Sequence, residues 1–296
     1  MLRKFRSVFA IGVIAFVSVP VLAADPVPYS ADEIEAAIMA GLRPISLPTR
    51  APALSSDCTT KRIAGDSFRR PLRGLRNAVR ERRAPRVLAI GSSSTVGVGA
   101  SRPSNAYIAR LEDNLEKTFS GFDFDVVGRG ISGEIAEGQS ARMKDTIAEV
   151  KPDLVLWQVG TNDAIRHVDV EAFKDCLRRT LDWLNSNRID VVLVDPQYSD
   201  ALTRDEFYEK IVAAVADVAR ERKVLLVDRF EAMRELSRNR GDRFYLTSDN
   251  LHLNDNGHRC MAEQLARAIV AGVLMAENDS ANLNPALGRT VPSAAN

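Results

Sequence analysis

From residue 86 onward the chain alternates with a regularity that few folds accept. Apolar, β-branched runs occupy 86–90, 123–127, 153–159, 190–195 and 223–228. Amphipathic stretches separate them at 104–119, 138–150, 169–186 and 204–222, and two more helical stretches cover 229–240 and 255–276. Val191-Val192-Leu193-Val194 and Val224-Leu225-Leu226-Val227 are continuous apolar runs. A strand with one face in water would alternate polar and apolar residues, so these runs predict strands covered on both faces. Strand then helix, repeated, requires crossover connections between parallel neighbours. The expected architecture is an α/β sandwich of about five parallel strands.

In such a sheet ligands bind beyond the carboxyl ends of the strands. Four unusual loops are expected there. Gly91-Ser92-Ser93-Ser94-Thr95 follows the first run and Gly128-Arg129-Gly130-Ile131-Ser132-Gly133 the second. Gly160-Thr161-Asn162-Asp163 follows the third, and Asp249-Asn250-Leu251-His252 precedes the last helical stretch. No single loop is specific; their order and placement are.

The residue types in these loops suit nucleophilic catalysis. A serine that attacks an ester needs a base, a group to orient that base, and donors for the oxyanion. His252 can serve as base. Asp249 lies three residues before it, a spacing that in a turn puts both side chains on one side, with the carboxylate holding Nδ1–H and Nε2 left facing a serine. Gly130 offers an unobstructed backbone N–H and Asn162 a side-chain amide, which with the serine's own N–H would make three oxyanion donors. The competing phosphate-loop reading of Gly97-Val98-Gly99 lacks both the dinucleotide fingerprint and a Gly-Lys-Ser/Thr sequence. A Gly-x-Ser-x-Gly elbow is absent as well.

This set, a serine turn after the first strand, a loop glycine, Gly-x-Asn-Asp, then Asp-x-x-His near the C-terminus, resembles the SGNH/GDSL hydrolase superfamily over about residues 86–276. The resemblance implies a flavodoxin-like three-layer α/β/α fold and ester or thioester hydrolysis through an acyl-enzyme, with no metal and no cofactor. It maps the catalytic residues onto Ser93, Asp249 and His252, and the oxyanion hole onto Ser93, Gly130 and Asn162. Two positions depart from the pattern. Ser92 stands where the family usually has Asp, which keeps Ser94 as a fallback nucleophile, and Gly128 stands where many members have Asn.

The remaining segments suggest where such a protein works. Arg3, Lys4 and Arg6 precede an apolar run from Val8 to Val19, and Ala23-Ala24 offers small residues for cleavage, so residues 1–24 read as a signal peptide of a secreted or periplasmic protein. Residues 25–85 form an N-terminal extension, with a helix expected to open at Ser30 and ten Lys or Arg between 61 and 86. That basic segment reads either as a solvated helix face or as a surface for anionic envelope components. Net charge is +1, which argues against a nucleic-acid partner. Of the three cysteines, Cys176 falls on the apolar face of a helical stretch, leaving Cys58 and Cys260 as the candidate disulfide, against the alternative of three free thiols. No metal-ligand spacing occurs. Residues 277–296 read as a flexible tail.

The expected function is an exported serine esterase acting on small-molecule or glycan esters, with short acyl groups such as O-acetyl on envelope or extracellular carbohydrate. The alternatives are a periplasmic acyltransferase to a glycan hydroxyl, since the same residues pass an acyl group to a sugar when water is excluded, and a non-catalytic envelope-binding module.

Overall fold

The computed structural model describes residues 47–60, 70–240, 246–247 and 249–283. Five parallel strands make one sheet: β1 (Arg86–Gly91), β2 (Asp125–Gly130), β3 (Leu154–Gln158), β4 (Asp190–Val194) and β5 (Leu225–Val227). Their order is β2-β1-β3-β4-β5. The helices are α1 (Arg73–Arg80), α2 (Ser93–Val96), α3 (Tyr107–Thr118), α4 (Ala136–Val150), α5 (Thr161–Ile165), α6 (Val170–Ser186), α7 (Glu206–Glu221), α8 (Arg229–Arg240) and α9 (Asp255–Leu283).

The period-two geometry of a strand explains why there are three layers. In β1, Val87 and Ala89 enter an apolar cluster on one face while Leu88 and Ile90 enter a second cluster on the other. Leu154 and Leu156 against Val155 and Trp157 repeat the split in β3. The first face is covered by α1, α3 and α9, through residues such as Leu75, Leu111 and Ile269. The second is covered by α4, α6 and α7, through Met143, Leu177 and Val215. Both faces are covered along β1, β3, β4 and β5, so their central residues are apolar, while the edge strand β2 is partly exposed and carries Asp125 and Arg129. Trp157 is buried in the second cluster, and its indole N–H donates to Gln139 Oε1 at 2.7 Å, which removes the cost of burying it.

The strand order creates the site. From β1 the chain crosses to β2 at one edge, and from β3 it runs to β4 in the opposite direction. Loops leaving the carboxyl ends of β1 and β3 therefore diverge and open a crevice between them.

Two boundaries and the character of one segment differ from the sequence reading. The folded unit begins before residue 86, because Cys58, Leu72, Leu75 and Val79 all belong to the first apolar cluster. The chain beyond 276 is not loose up to Leu283: α9 continues through it, and Glu277 and Asp279 accept from Arg80 and Arg73. The basic segment is also not a bare cationic face where it is described. Arg70 donates to Asn185 Oδ1, Arg76 to Ala276 O, Arg83 to Asp153, and Arg86 to Asp125 and to Val150 O. Exposed pairs of this kind stabilise little individually, about 0–1 kcal/mol each, but together they clip α1 to the end of α9 and the foot of the sheet. Residues 1–24, the helix expected at Ser30, and 61–69 lie outside the described residues.

Cys58 and Cys260 form a disulfide with Cα atoms 5.0 Å apart, joining the N-terminal segment to α9, and Cys176 is free and buried.

Candidate active site

Ser92 ends β1 and stands as N-cap of the single-turn helix α2, so Ser93 is the first residue of that turn. The Ser92 N–H donates to Gln158 Oε1 at 3.0 Å, and its hydroxyl lies 3.2 Å from the same oxygen. Where the superfamily usually has a carboxylate, this chain thus builds a buried neutral pair with the last residue of β3. The turn must sit close against the sheet. A Cβ at Gly91 would fall 2.2 Å from Thr95 Oγ1, and one at Gly130 would fall 2.6 Å from Val96 N and 2.8 Å from Ser92 O. Thr95 is held from behind by the Tyr107 hydroxyl at 2.9 Å.

Gly130 has a different place from the one expected. The sequence reading put 128–133 in a loop, but β2 continues to Gly130, paired with Gly91. Ile131 N–H donates to Gly91 O at 3.1 Å. In a parallel ladder this pattern turns the N–H of Gly130 to the outer edge of the sheet. Gly130 is therefore the residue that lets β2 approach the serine turn, not a donor into the crevice. The loop starts at Ile131 and closes a turn by the Glu134 N–H to Ile131 O bond, with Gly133 at φ +77°. That φ is left-handed, as position i+2 of a type II turn demands, and it is the reason for a glycine there. Among the described residues no acceptor meets the Gly133 N–H.

Asn162 lies beside this turn. Its Nδ2 donates one hydrogen to Glu134 O at 2.9 Å, which leaves the second for a ligand. Asp163 holds the two loops together: its carboxylate accepts the Ala136 N–H at 3.0 Å, at the start of α4, and burial pushes its pKa up to about 6. It orients the Asn162 loop and lies far from the role of a catalytic acid. Arg166 donates to Gly133 O at 2.8 Å from the same side.

The Asp249–His252 loop is closed at its base by the Thr247–Leu253 bridge and the Asn254 N–H to Leu246 O bond. The sequence spacing has a local cause. Asp249 Oδ1 accepts the N–H groups of Leu251 and His252, at 3.0 and 2.6 Å, so the carboxylate folds the turn that returns His252 to it. Asp249 Oδ2 then lies 2.7 Å from His252 Nδ1. These bonds hold the Asp249 carboxyl down at about 2. An ionised carboxylate only accepts, so Nδ1 carries the imidazole proton and Nε2 keeps the lone pair that a base needs. The loop packs against the stretch that follows the serine turn: a Cβ at Gly99 would lie 3.3 Å from His252 Cβ and 2.2 Å from Leu253 O.

Two histidines stand apart from this pair. His258 is buried, with Nδ1 accepting the Tyr107 N–H and Nε2 3.2 Å from Val98 O. His167 is exposed and pairs with Asp205. Among the described residues no group of three His, Cys, Asp or Glu is placed to hold a metal ion.

One loop escaped the sequence reading. Asp195-Pro196-Gln197-Tyr198-Ser199 follows β4 onto the same rim. Gln197 Nε2 donates to Leu251 O at 2.9 Å and Ser199 Oγ to Asn250 O at 2.5 Å. A polar run directly after a continuous apolar strand was the signal available.

With the geometry in place, comparison with known proteins is informative. The model of the Non-GDSL lipase-like family matches residues 57–275. Esterase TesA of Pseudomonas aeruginosa is 35% identical over 83 residues, 28% of this chain; the chain spans 40% of that relative's length in the alignment. An acetylxylan esterase of Geobacillus stearothermophilus is 25% identical over 62% of this chain and 93% of its own. Among solved structures, a two-domain esterase active on acetylated mannans superimposes with a TM-score of 0.58 at 22% identity, covering 71% of this chain and 55% of that one. The crystal structure of TesA gives 0.53 at 23% identity, over 62% and 97%. At such identities the structural likeness speaks for the fold.

Proposed function

The chain belongs to the Non-GDSL lipase-like family within the SGNH/GDSL hydrolases, carboxylic ester hydrolases, and from that membership we propose that it is an exported serine esterase removing short acyl groups from carbohydrate. The observation that carries the catalytic assignment is the Asp249–His252 pair, locked in one tautomer and packed against the chain that leaves the serine turn.

In this reading Ser93 Oγ attacks the ester carbonyl while His252 Nε2 takes its proton. Asp249 holds the imidazole and stabilises the imidazolium. The tetrahedral oxyanion is met by the N–H of Ser93, the N–H of Gly133 and the free hydrogen of Asn162 Nδ2, with Gly133 replacing Gly130 in that role. The imidazolium then protonates the leaving alcohol, leaving an acyl-Ser93 ester. Water, activated by His252, attacks that ester and releases the acid. No step calls for a metal or a cofactor.

The acyl and alcohol assignments rest on other support. Relatives named for acetylxylan and for acetylated mannans point to O-acetyl groups on polysaccharide. Export is supported by the basic-then-apolar start of the sequence and by the Cys58–Cys260 disulfide, which persists in oxidising compartments.

The test is hydrolysis of a nitrophenyl ester series from acetyl to dodecanoyl, with Ser93→Ala as control, followed by acetate release from acetylated xylan and mannan. Turnover that falls steeply by octanoyl, is lost in Ser93→Ala and extends to the polysaccharides supports the reading. Turnover of long chains alone would redirect the substrate to lipid, and no turnover would remove the esterase assignment.

A further inference from the structure

Three loops of the candidate site come from separate stretches of the chain, two of them leaving β1 and β3 and the third leading into α9, and a catalytic geometry needs them fixed relative to one another to within a fraction of an ångström. Backbone pairing cannot do this, because the sheet ends below them. What joins them is a buried polar cluster centred on Gln197, which is 1% exposed, and Arg229, also 1% exposed.

Each arm of the cluster goes to a different loop. Gln197 Oε1 accepts from the Thr161 hydroxyl at 2.9 Å, and Thr161 is the residue before Asn162. Gln197 Nε2 donates to Leu251 O at 2.9 Å, between Asp249 and His252. Gln197 Oε1 also accepts from Arg229 Nη2 at 2.9 Å, and Arg229 Nη1 lies 3.4 Å from the Oγ of Ser94, the neighbour of Ser93. The hub itself is braced: Tyr208 Oη donates to Gln197 O at 2.7 Å, and Arg229 Nε to Asp195 O at 3.0 Å. A carboxamide suits the place because it accepts twice at its oxygen and donates at its nitrogen. A carboxylate would keep the acceptor arms and lose the donor arm. An apolar side chain would lose both.

We propose that Gln197, with Arg229 behind it, is a positioning residue that sets the oxyanion loop, the serine turn and the histidine loop in mutual register; this rests on the assignment of Ser93, Asn162, Asp249 and His252 made above. Gln197 touches no substrate. It acts through Thr161 and Leu251.

The experiment compares the wild-type chain with Gln197→Glu, Gln197→Met, Thr161→Val and Thr161→Ser, using nitrophenyl acetate as substrate and measuring kcat, KM and the pH dependence of kcat/KM. Gln197→Glu keeps the acceptor arms, loses the arm to Leu251 and sets a carboxylate oxygen against Leu251 O, its charge met by Arg229. It should lower kcat roughly 10- to 100-fold, leave KM within about twofold, and move the acid limb of the pH profile because the His252 loop is released. Thr161→Val breaks the arm to the oxyanion loop, together with the Thr161–Tyr208 side-chain contact. It should lower kcat similarly without moving that limb, and Thr161→Ser, which restores the hydroxyl, should recover most of the loss. If Gln197→Met does not fold, the Gln197→Glu and Thr161 pair carries the test. Values of kcat within about threefold of wild type in both Gln197→Glu and Thr161→Val overturn the proposal while the esterase reading stands. Loss of kcat in Thr161→Val that Thr161→Ser does not recover overturns it too. Absence of ester turnover in the wild type, or turnover kept in Ser93→Ala, overturns both.

Discussion

Asp249 grips His252 twice, by one carboxylate oxygen at the backbone N–H, 2.6 Å away, and by the other at imidazole Nδ1, 2.7 Å away. One side chain thus both folds the loop and selects the tautomer. Asp249→Asn removes the charge that stabilises the imidazolium and permits the wrong tautomer. We expect kcat to fall by roughly 10³- to 10⁴-fold, with the thermal midpoint little changed, since the pair is partly exposed. Steady-state kinetics with a thermal melt checks both halves.

The oxyanion assignment separates three residues. Asn162→Ala should lower kcat about 10²- to 10³-fold and barely alter KM, because the charge it meets exists only near the transition state. Gly130→Ala should act differently. Its new methyl would lie 2.6 Å from Val96 N, so we expect lost stability of about 1–3 kcal/mol together with lost activity as the serine turn is pushed away. Gly133→Ala has room, with Arg166 Nη2 3.5 Å away, and meets only the strain of its positive φ. Kinetics and melts of the three variants distinguish these patterns.

The disulfide spans 202 residues of sequence, so opening it frees much of the unfolded chain. Reduction, or Cys58→Ser, should cost about 2–5 kcal/mol, read as a drop of roughly 5–15 °C in the thermal midpoint. Cys176 is buried, and burial pushes its thiol up to about 12. A thiol reagent should find no reactive group in the native oxidised protein and one per chain after unfolding.

His258 makes stability fall in acid. Burial holds its pKa below the ordinary 6.5, so it stays neutral in the native state, where Nδ1 accepts from the Tyr107 N–H. The unfolded chain takes up that proton once pH drops through about 6.5, and stability is lost from there downward. Asp163 titrates in the same range with the opposite sign: its folded pKa of about 6 lies above the ordinary 3.8, so it disfavours the native state as pH rises between the two. Comparing melts of wild type and His258→Asn between pH 4 and 8 isolates the histidine. The wild type should lose more stability on acidification than the variant does.

The parallel sheet and its covering helices were legible because apolar runs such as Val191–Val194 have no polar face to hide, and period alone reports that. The Asp-x-x-His turn was legible because its fold is local: Asp249 bonds residues two and three positions on. Gly130 was misplaced because sequence does not mark where a strand ends when its last residues are Gly-Arg-Gly. The end of β2 depends on pairing with Gly91, a contact between residues 39 apart. Gln197 was missed for the same kind of reason. Its partners, Thr161, Arg229 and Leu251, lie on three other segments, and nothing local distinguishes it from any polar residue after a strand. The basic segment left both a solvated face and an anionic-binding surface open because its counter-charges, Asp153, Glu277 and Asp279, are remote in sequence.

The central claim is that Ser93 is the nucleophile and His252 its base. The most direct measurement is peptide mapping by mass spectrometry after treatment with a fluorophosphonate, which phosphonylates an activated serine and is not turned over. The account predicts one adduct per chain, on Ser93, formed at least about a hundredfold more slowly in His252→Ala. An adduct on Ser94, or labelling of Ser93 at an unchanged rate without His252, would contradict it.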